Sequence, residues 1–133
     1  MIVDANGMVL GRLASMVAKR LLEEDVVVVN AGMAVISGSK EAIMEEYEQR
    51  WRRGTHRKGP FFPRKPDQIL KRAVRGMLPY QKRGGRKAYR RLRVYTGVPT
   101  GMEMTGASKV GKGRKEGVDY VTLGQITKWL GGK

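Results

Sequence analysis

Hydrophobic positions in the first third of the chain follow two different spacings. Residues 1–3 and 26–29 are short apolar runs, the second being four consecutive valines. Between them, apolar residues recur at the spacing of one helix face, at Leu10, Ala14, Val17 and Leu21. A β-branched run without alternation is typical of a strand covered on both faces in a parallel sheet. This pattern predicts a strand, an amphipathic helix of about three turns and a second strand, which together form a βαβ unit.

The next apolar positions predict a third strand and a second helix. Residues 34–36 form another short apolar run. Ser37-Gly38-Ser39 then supplies the small polar residues that commonly begin a helix. Apolar residues follow at intervals of four, at Ile43, Tyr47 and Trp51. This spacing places them on one helix face, which we expect to lie against the core.

The hydrophobic period is lost from about residue 50 and returns at residue 66. Residues 52–65 predict an exposed basic loop. Pro66 followed by Asp67 is a helix-start signal, and we expect Gly76 to end this third helix. Its predicted inward positions are Ile69, Leu70, Ala73 and Val74.

A short fourth helix is predicted over residues 86–92, and its apolar anchors are Ala88 and Leu92. Residues 94–96 resemble the end of a strand. The glycine-rich stretch 97–117 predicts a long loop.

The end of the chain predicts one more strand and one more helix. Residues 118–121 are a strand candidate. Thr122 with Gln125 three positions later is the pattern of a capping box, which begins a helix. The apolar residues of that helix are Leu123, Ile126 and Leu130. With 133 residues and no internal repeat, the chain predicts a single α/β domain over 1–133.

Charge is distributed very unevenly over this framework. Residues 50–93 contain seventeen Lys or Arg and a single acid, Asp67, so this block carries +16 while the whole chain carries +15. So sharp a segregation is typical of a protein that binds a polyanion. Because the block has one acid, we interpret its cations as lacking partners within the protein. We expect them to neutralise the phosphates of nucleic acid.

The candidate RNA-binding residues lie in the basic block 50–93 and in the glycine-rich loop 97–117. They are Arg50, Arg52, Arg53, His56, Arg57, Lys58, Arg64, Lys65, Lys71, Arg72, Arg75, Lys82, Arg83, Arg86, Lys87, Arg90, Arg91, Arg93, Lys109, Lys112 and Arg114.

The residues between the cations favour RNA over DNA. Aromatic rings that can stack on unpaired bases are interspersed in the block, although we expect two of them, Trp51 and Tyr89, to lie in the core. The pattern lacks a helix-turn-helix with a polar recognition face, a zinc finger and a heptad seam. Basic loops on an α/β body suit the irregular shape of folded RNA better than a regular groove.

Two patterns resemble catalytic or nucleotide-binding motifs but lack a required part. Residues 106–113 have the glycine spacing and lysine of a phosphate-cradling loop, yet Gly113 stands where a magnesium-binding Ser or Thr is needed. Glu41, Glu45 and Glu48 share a helix face, which is usually a solvated face. The sequence has no cysteine, and its single histidine, His56, cannot build a metal site. We expect no catalysis, cofactor, metal or small-molecule substrate.

The N-terminus and the apolar runs predict a cytoplasmic protein. The chain begins without the basic flank and apolar core of a signal peptide. Its apolar runs are far shorter than the ~20 residues that cross a bilayer.

Short motifs over residues 1–99 match those of a known family in order and spacing. The most specific is Val74-Arg75-Gly76-Met77-Leu78-Pro79. The others lie at residues 9–15, 17–19, 27–31, 36–38, 92–95 and 97–99. On these motifs the chain resembles the thirteenth protein of the large ribosomal subunit, in its archaeal and eukaryotic form. Glu23-Glu24-Asp25 stands where the family leads us to expect a glycine-containing turn.

This resemblance implies a three-layer α/β/α domain with a small, mainly parallel central sheet and basic loop extensions. It also implies a structural role, without catalysis, on large-subunit ribosomal RNA among neighbouring ribosomal proteins. Two alternatives stay open from the residues alone. One is a free-standing RNA chaperone, and the other is an RNA-processing enzyme that uses the basic block as a substrate platform.

Overall fold

The computed structural model describes residues 1–52, 63, 65–99 and 119–130, and in these the chain forms five helices and five strands. A 3-10 turn at Ala31–Met33 follows the second strand. In chain order the elements are β1 (Ile2–Asp4), α1 (Leu10–Leu21), β2 (Val26–Val29), β3 (Val35–Ser37), α2 (Lys40–Arg52), α3 (Pro66–Met77), α4 (Arg83–Arg90), β4 (Leu92–Val94), β5 (Tyr120–Thr122) and α5 (Leu123–Trp129).

A parallel sheet with the order β1-β2-β4 lies at the centre of the fold. Val28 of β2 lies opposite Val3 on one side and Val94 on the other, and all three are buried. The predicted βαβ unit, and the predicted parallel sheet around the four valines, are therefore confirmed. β-branched residues tolerate this position well because their side chains fill the pleated surface between the covering layers.

The third predicted strand is confirmed, but it lies outside the parallel sheet. β3 pairs with β5 in a separate antiparallel ladder that places Ile36 opposite Val121. β3 begins one residue later than predicted, because the backbone N–H of Ala34 closes the 3-10 turn by donating to Ala31. The fold is thus a small α/β fold whose sheet is mainly parallel.

The helix faces predicted from apolar spacing are the faces that the core uses. α1 packs against α3, and Ile69, Leu70 and Val74 of α3 are buried in the core. The face of α1 predicted from spacing is buried in full. On α2, Ile43 and Tyr47 are buried, and Trp51 packs partly buried against the core. Sequence spacing alone therefore identified most of the core.

The ends of α3 and α4 differ from prediction. α3 ends at Met77, one residue beyond Gly76. α4 begins at Arg83, three residues before the predicted start, and the N–H of Arg86 donates to the carbonyl oxygen of Lys82 at 3.2 Å to close its first turn. Leu92, predicted as a helix anchor, instead belongs to β4, where it is buried. Gly84 and Gly85 both lie inside α4, although glycine is a poor helix former.

Hydrogen bonds of the chain itself occupy the carboxyl edge of the parallel sheet. Asn30 adopts a left-handed conformation, with φ of 59°, and its Nδ2 donates to Oδ1 of Asp4 at 3.1 Å. The N–H groups of Asn30, Ala31 and Gly32 donate to residues 97, 95 and 96. Ligands of open α/β sheets bind at this edge. Here the segment after β4 covers it.

The capping box at the start of α5 is confirmed. The N–H of Gln125 donates to Oγ1 of Thr122 at 3.2 Å, and the N–H of Thr122 donates to Oε1 of Gln125 at 3.1 Å. Arg52, the first residue of the predicted loop at 52–65, instead ends α2. Most of the rest of that loop, most of the one at 97–117 and the whole stretch 106–113 lie outside the described residues.

Candidate nucleic-acid interface

The solvent side of α4 is a stripe of four cations. Every member of the stripe is exposed, and the members recur at intervals of three or four, at Arg83, Arg86, Lys87 and Arg90. That spacing places them on one helix face. The opposite face is buried through Gly85 and Ala88, whose small size lets the helix backbone approach the core. Like charges at these intervals repel one another, so the stripe favours a polyanion that neutralises it.

The outward face of α3 is a second row of cations, formed by Lys71, Arg72 and Arg75. Arg72 and Arg75 are exposed, and Lys71 is half-buried. The row lies opposite the buried apolar face of the same helix, so the packing of α3 on α1 sets the direction of the row. Amphipathic spacing in the sequence therefore orients the charges as well as the core.

Two tyrosines join the cations of α3 to α4. Cζ of Arg75 lies 4.1 Å from the ring centroid of Tyr80, and Nζ of Lys71 lies 5.6 Å from that of Tyr89. The two rings meet edge to face, with centroids 5.6 Å apart and planes at 87°. Cation–π contacts at such sites contribute about 0.5–1 kcal/mol each. The rings thus hold two cations of α3 in place before any ligand binds.

Burial raises the pKa of the Tyr89 hydroxyl above its ordinary value, although the nearby Arg75 acts to lower it. The hydroxyl is therefore neutral at physiological pH. A neutral phenol beside a row of cations both donates and accepts hydrogen bonds.

A groove of about 380 Å³ lies between α3 and α4, beside the contact of Lys71 with Tyr89. Its lining residues are Pro63, Gln68, Lys71, Arg72, Arg75 and Tyr89. Gln68 is a lining residue that the sequence analysis missed. Its position three residues before Lys71 is the signal that places it on the same helix face.

Arg50 and Arg52 correct the prediction that cations of the basic block have no partners within the protein. Both belong to α2, where Arg50 pairs with Glu46 at 2.5 Å and Arg52 pairs with Glu48 at 2.6 Å. Each acid lies four residues earlier on the helix, just outside the boundary at residue 50 from which the charges were counted. Exposed pairs of this kind are worth only about 0.3–0.5 kcal/mol, so an RNA phosphate can still compete for these arginines.

Lys65 and Lys82 occupy the positions immediately before α3 and α4, and both are exposed. A cation there is opposed by the positive end of the helix dipole. Phosphate, by contrast, is attracted to both the cation and the helix end.

Arg91 and Arg93 differ in their surroundings. Arg91 is half-buried and donates from Nη1 to the carbonyl oxygen of Leu21 at 3.3 Å. Arg93 is exposed because β4 alternates, with Leu92 and Val94 pointing into the core. The remaining candidates, Arg53, His56, Arg57, Lys58, Arg64, Lys109, Lys112 and Arg114, lie outside the described residues.

The acidic row on α2 has the solvated character predicted for it. Glu41 and Glu45 are exposed, and Glu48 pairs with Arg52. A shallow hollow of about 370 Å³ at the start of α2 is lined by Glu41 and Asp119, both exposed.

Metal-binding clusters and membrane-spanning helices are both absent from residues 1–52, 63, 65–99 and 119–130. Among these residues, no cluster of His, Asp and Glu is arranged to hold a metal ion. None of the helices they form is long and apolar enough to cross a membrane.

Comparison with known proteins decides the family. A family model described as ribosomal protein L13 matches residues 1–100. The chain belongs to the ribosomal protein L13 family. The matched residues include α1 to α4, and hence both rows of cations. The resemblance seen in the sequence motifs is therefore confirmed.

Individual relatives extend the similarity to almost the whole L13 chain. It is 48% identical over 135 residues to large ribosomal subunit protein uL13 of Archaeoglobus fulgidus, an alignment that covers 98% of this chain and 86% of the relative. The protein of the same name from Methanococcoides burtonii is 48% identical, with 99% of this chain and 98% of the relative covered. That from Thermoplasma acidophilum is 43% identical, with 98% of each covered.

Proposed function

We propose that this protein is a structural constituent of the large ribosomal subunit and that it holds large-subunit ribosomal RNA against α3 and α4. The RNA-binding surface is proposed on one observation: the outward faces of the neighbouring helices α3 and α4 both present cations. From Pro66 to Arg90 the sequence has eight Lys or Arg and one acid, Asp67. The family and the relatives named as large-subunit proteins support the ribosomal setting.

The proposed mechanism is neutralisation of phosphates. Each cation that meets a phosphate releases condensed counterions, so the logarithm of affinity falls with the logarithm of salt concentration by about 0.9 per phosphate on a duplex and about 0.7 on a single strand. Phosphate contacts fix position and orientation, and base contacts supply sequence preference. The cations of the α3 row and the α4 stripe therefore clamp folded RNA of the right shape.

The proposal includes no catalytic step, cofactor or small-molecule substrate. The carboxyl edge of the sheet, where α/β enzymes hold their ligands, is covered by the chain at residues 95–97. The setting is the ribosome in the cytoplasm, and the partners are ribosomal RNA and neighbouring ribosomal proteins. A free-standing RNA chaperone and an RNA-processing enzyme are the competing functions.

Sedimentation of a lysate through a sucrose gradient tests this proposal. A ribosomal constituent is expected almost wholly in the large-subunit and ribosome fractions, and it should follow the large subunit when low magnesium separates the two subunits. A chaperone or a processing enzyme would be found mainly in the light fractions or with precursor particles. That distribution would contradict the proposal.

A further inference from the structure

We propose that the groove between α3 and α4 binds one unpaired nucleotide of the RNA and recognises its base as well as its phosphate. This inference rests on the proposed function, because it specifies what the RNA places in the groove. It goes beyond phosphate clamping, since a phosphate clamp needs cations alone.

The neutral groups in the groove are the first reason for assigning it to a base. Lys and Arg side chains only donate hydrogen bonds, whereas the amide of Gln68 and the hydroxyl of Tyr89 both donate and accept. Base edges also present both donors and acceptors, and they are accessible in unpaired nucleotides. Gln68 is exposed and shares the groove with Lys71 and Arg72. The amide oxygen of Gln68 is a hydrogen-bond acceptor among cations. A phosphate has no use for an acceptor, because its oxygens only accept hydrogen bonds, whereas a base can donate to it.

Arg75 supplies a surface on which a base can stack. Its Cζ lies 4.1 Å from the centroid of Tyr80, so the ring lies against the guanidinium, and Arg75 also lines the groove. Unpaired bases of RNA commonly stack on arginine planes and on aromatic side chains. Because Tyr80 already holds Arg75, less side-chain freedom is lost when a base arrives.

The size of the groove favours a single nucleotide. Its volume of about 380 Å³ is near the lower end of the range of about 300–1,000 Å³ that is usual for small-ligand sites. In a paired A-form helix the bases are stacked on one another, and the deep, narrow major groove keeps side chains from reading them, so no base face is free to stack on Arg75. A nucleotide turned out of a loop or bulge, by contrast, can place its base against Arg75 and its phosphate beside Lys71.

Abasic RNA provides a direct test. Two fluorescent single strands of equal length are titrated by anisotropy at the same salt concentration, one with all of its bases and one with abasic residues in its middle. Both carry the same phosphates. We expect the intact strand to bind about five- to tenfold more tightly, which is the lower part of the range for stacking of a single base. Equal affinity of the two strands would overturn the inference.

Gln68→Leu locates the recognition in the groove, with Gln49→Leu as the matched control. Both substitutions keep the charge and a strong helix former, and Gln49 is exposed on α2 and does not line the groove. Gln68→Leu should reduce the preference for the intact strand, because the hydrogen bonds to the base are lost while stacking on Arg75 remains, and it should leave binding of the abasic strand unchanged. Gln49→Leu should keep the preference. If Gln68→Leu also kept it, the assignment to this groove would be wrong.

The same titrations separate the inference from the proposed function. If the unaltered protein bound neither strand with the salt dependence of a phosphate clamp, the proposed function would fail first. If it bound both strands equally and with that salt dependence, the proposed function would stand, and only the inference that the groove binds a base would be contradicted.

Discussion

Arg91 donates a hydrogen bond from Nη1 to the carbonyl oxygen of Leu21, 3.3 Å away and seventy positions earlier in the chain. The contact joins the last residue of α1 to the residue before β4. A cation at a helix C-terminus satisfies a free carbonyl and interacts favourably with the helix dipole. Arg91 is therefore part of the fold, whereas its neighbour Arg90 is exposed on the α4 stripe.

Arg91→Gln should destabilise the protein, and Arg90→Gln should not. We expect the first change to lower the free energy of unfolding by about 1–2 kcal/mol, through loss of the hydrogen bond and of the charge at the helix end. The second should stay within about 0.5 kcal/mol and should weaken RNA binding instead. Urea denaturation and RNA titration of both variants check this. Equal stability of the two variants would show that the Arg91 contact contributes nothing.

Two adjacent glycines of α4 should respond in opposite directions to alanine. A Cβ atom on Gly85 would overlap the backbone carbonyl of Pro79, whereas a Cβ on Gly84 would meet nothing within 4 Å. Gly84→Ala should therefore raise stability by up to about 1 kcal/mol, since alanine is the better helix former. Gly85→Ala should lower it by about 1–3 kcal/mol through overpacking. Thermal melting of the pair checks both signs, and stabilisation by Gly85→Ala would mean that α4 does not pack on residue 79.

Val28→Asp should unfold the domain. Val28 is fully buried between β1 and β4, so an aspartate there has no partner and costs several kcal/mol. Val98→Asp is the control, because Val98 is 43% exposed, and it should shift stability by no more than about 0.5 kcal/mol. Circular dichroism distinguishes these outcomes. A normal melting curve for Val28→Asp would contradict the position of β2 at the centre of the sheet.

The sequence was sufficient for the core because periodicity reports burial directly. The valine run and the spacing of Ile43, Tyr47 and Trp51 each led to the observed buried face. The predicted start of α4 was three residues too late because Gly84 and Gly85 are poor helix formers. Gly85 instead lies inside the helix, since its missing side chain allows contact with Pro79. That reason is visible only when residue 79 is known to lie beside it.

The candidate interface was predictable in composition but not in detail. The block of cations predicts an RNA-binding surface, and four of its members lie exposed on one face of α4. The pairing of Arg50 with Glu46 was missed because charge was counted within a block and not along a helix at intervals of four. The contact between Tyr80 and Tyr89 depends on the path of the chain between α3 and α4, which no local pattern specifies.

The free energy of unfolding should fall as the pH rises above 10.0, the ordinary pKa of tyrosine. Burial raises the pKa of Tyr47, with Arg50 acting to lower it and Glu46 to raise it. The folded state therefore holds the proton at a pH where the unfolded state loses it. The stability that this group contributes is complete below the unfolded pKa and is lost as pH rises through the folded pKa.

Tyr47→Phe tests this linkage. Denaturation of the variant and the unaltered protein at a series of pH values should give a shallower alkaline decline for the variant, whatever its absolute stability. Parallel declines would mean that ionisation of Tyr47 is not coupled to unfolding.

The salt dependence of RNA binding tests the central claim, that phosphates are neutralised on a dedicated surface. One variant changes the four exposed cations of the α4 stripe to Gln, and the other changes four exposed cations elsewhere, Arg12, Lys19, Arg20 and Lys128. Both lose the same charge. On a large-subunit RNA fragment, the slope of log affinity against log salt should shrink by about three units for the first variant and by less than about one for the second. Equal reductions would contradict the claim and would reduce the interface to general cationic attraction.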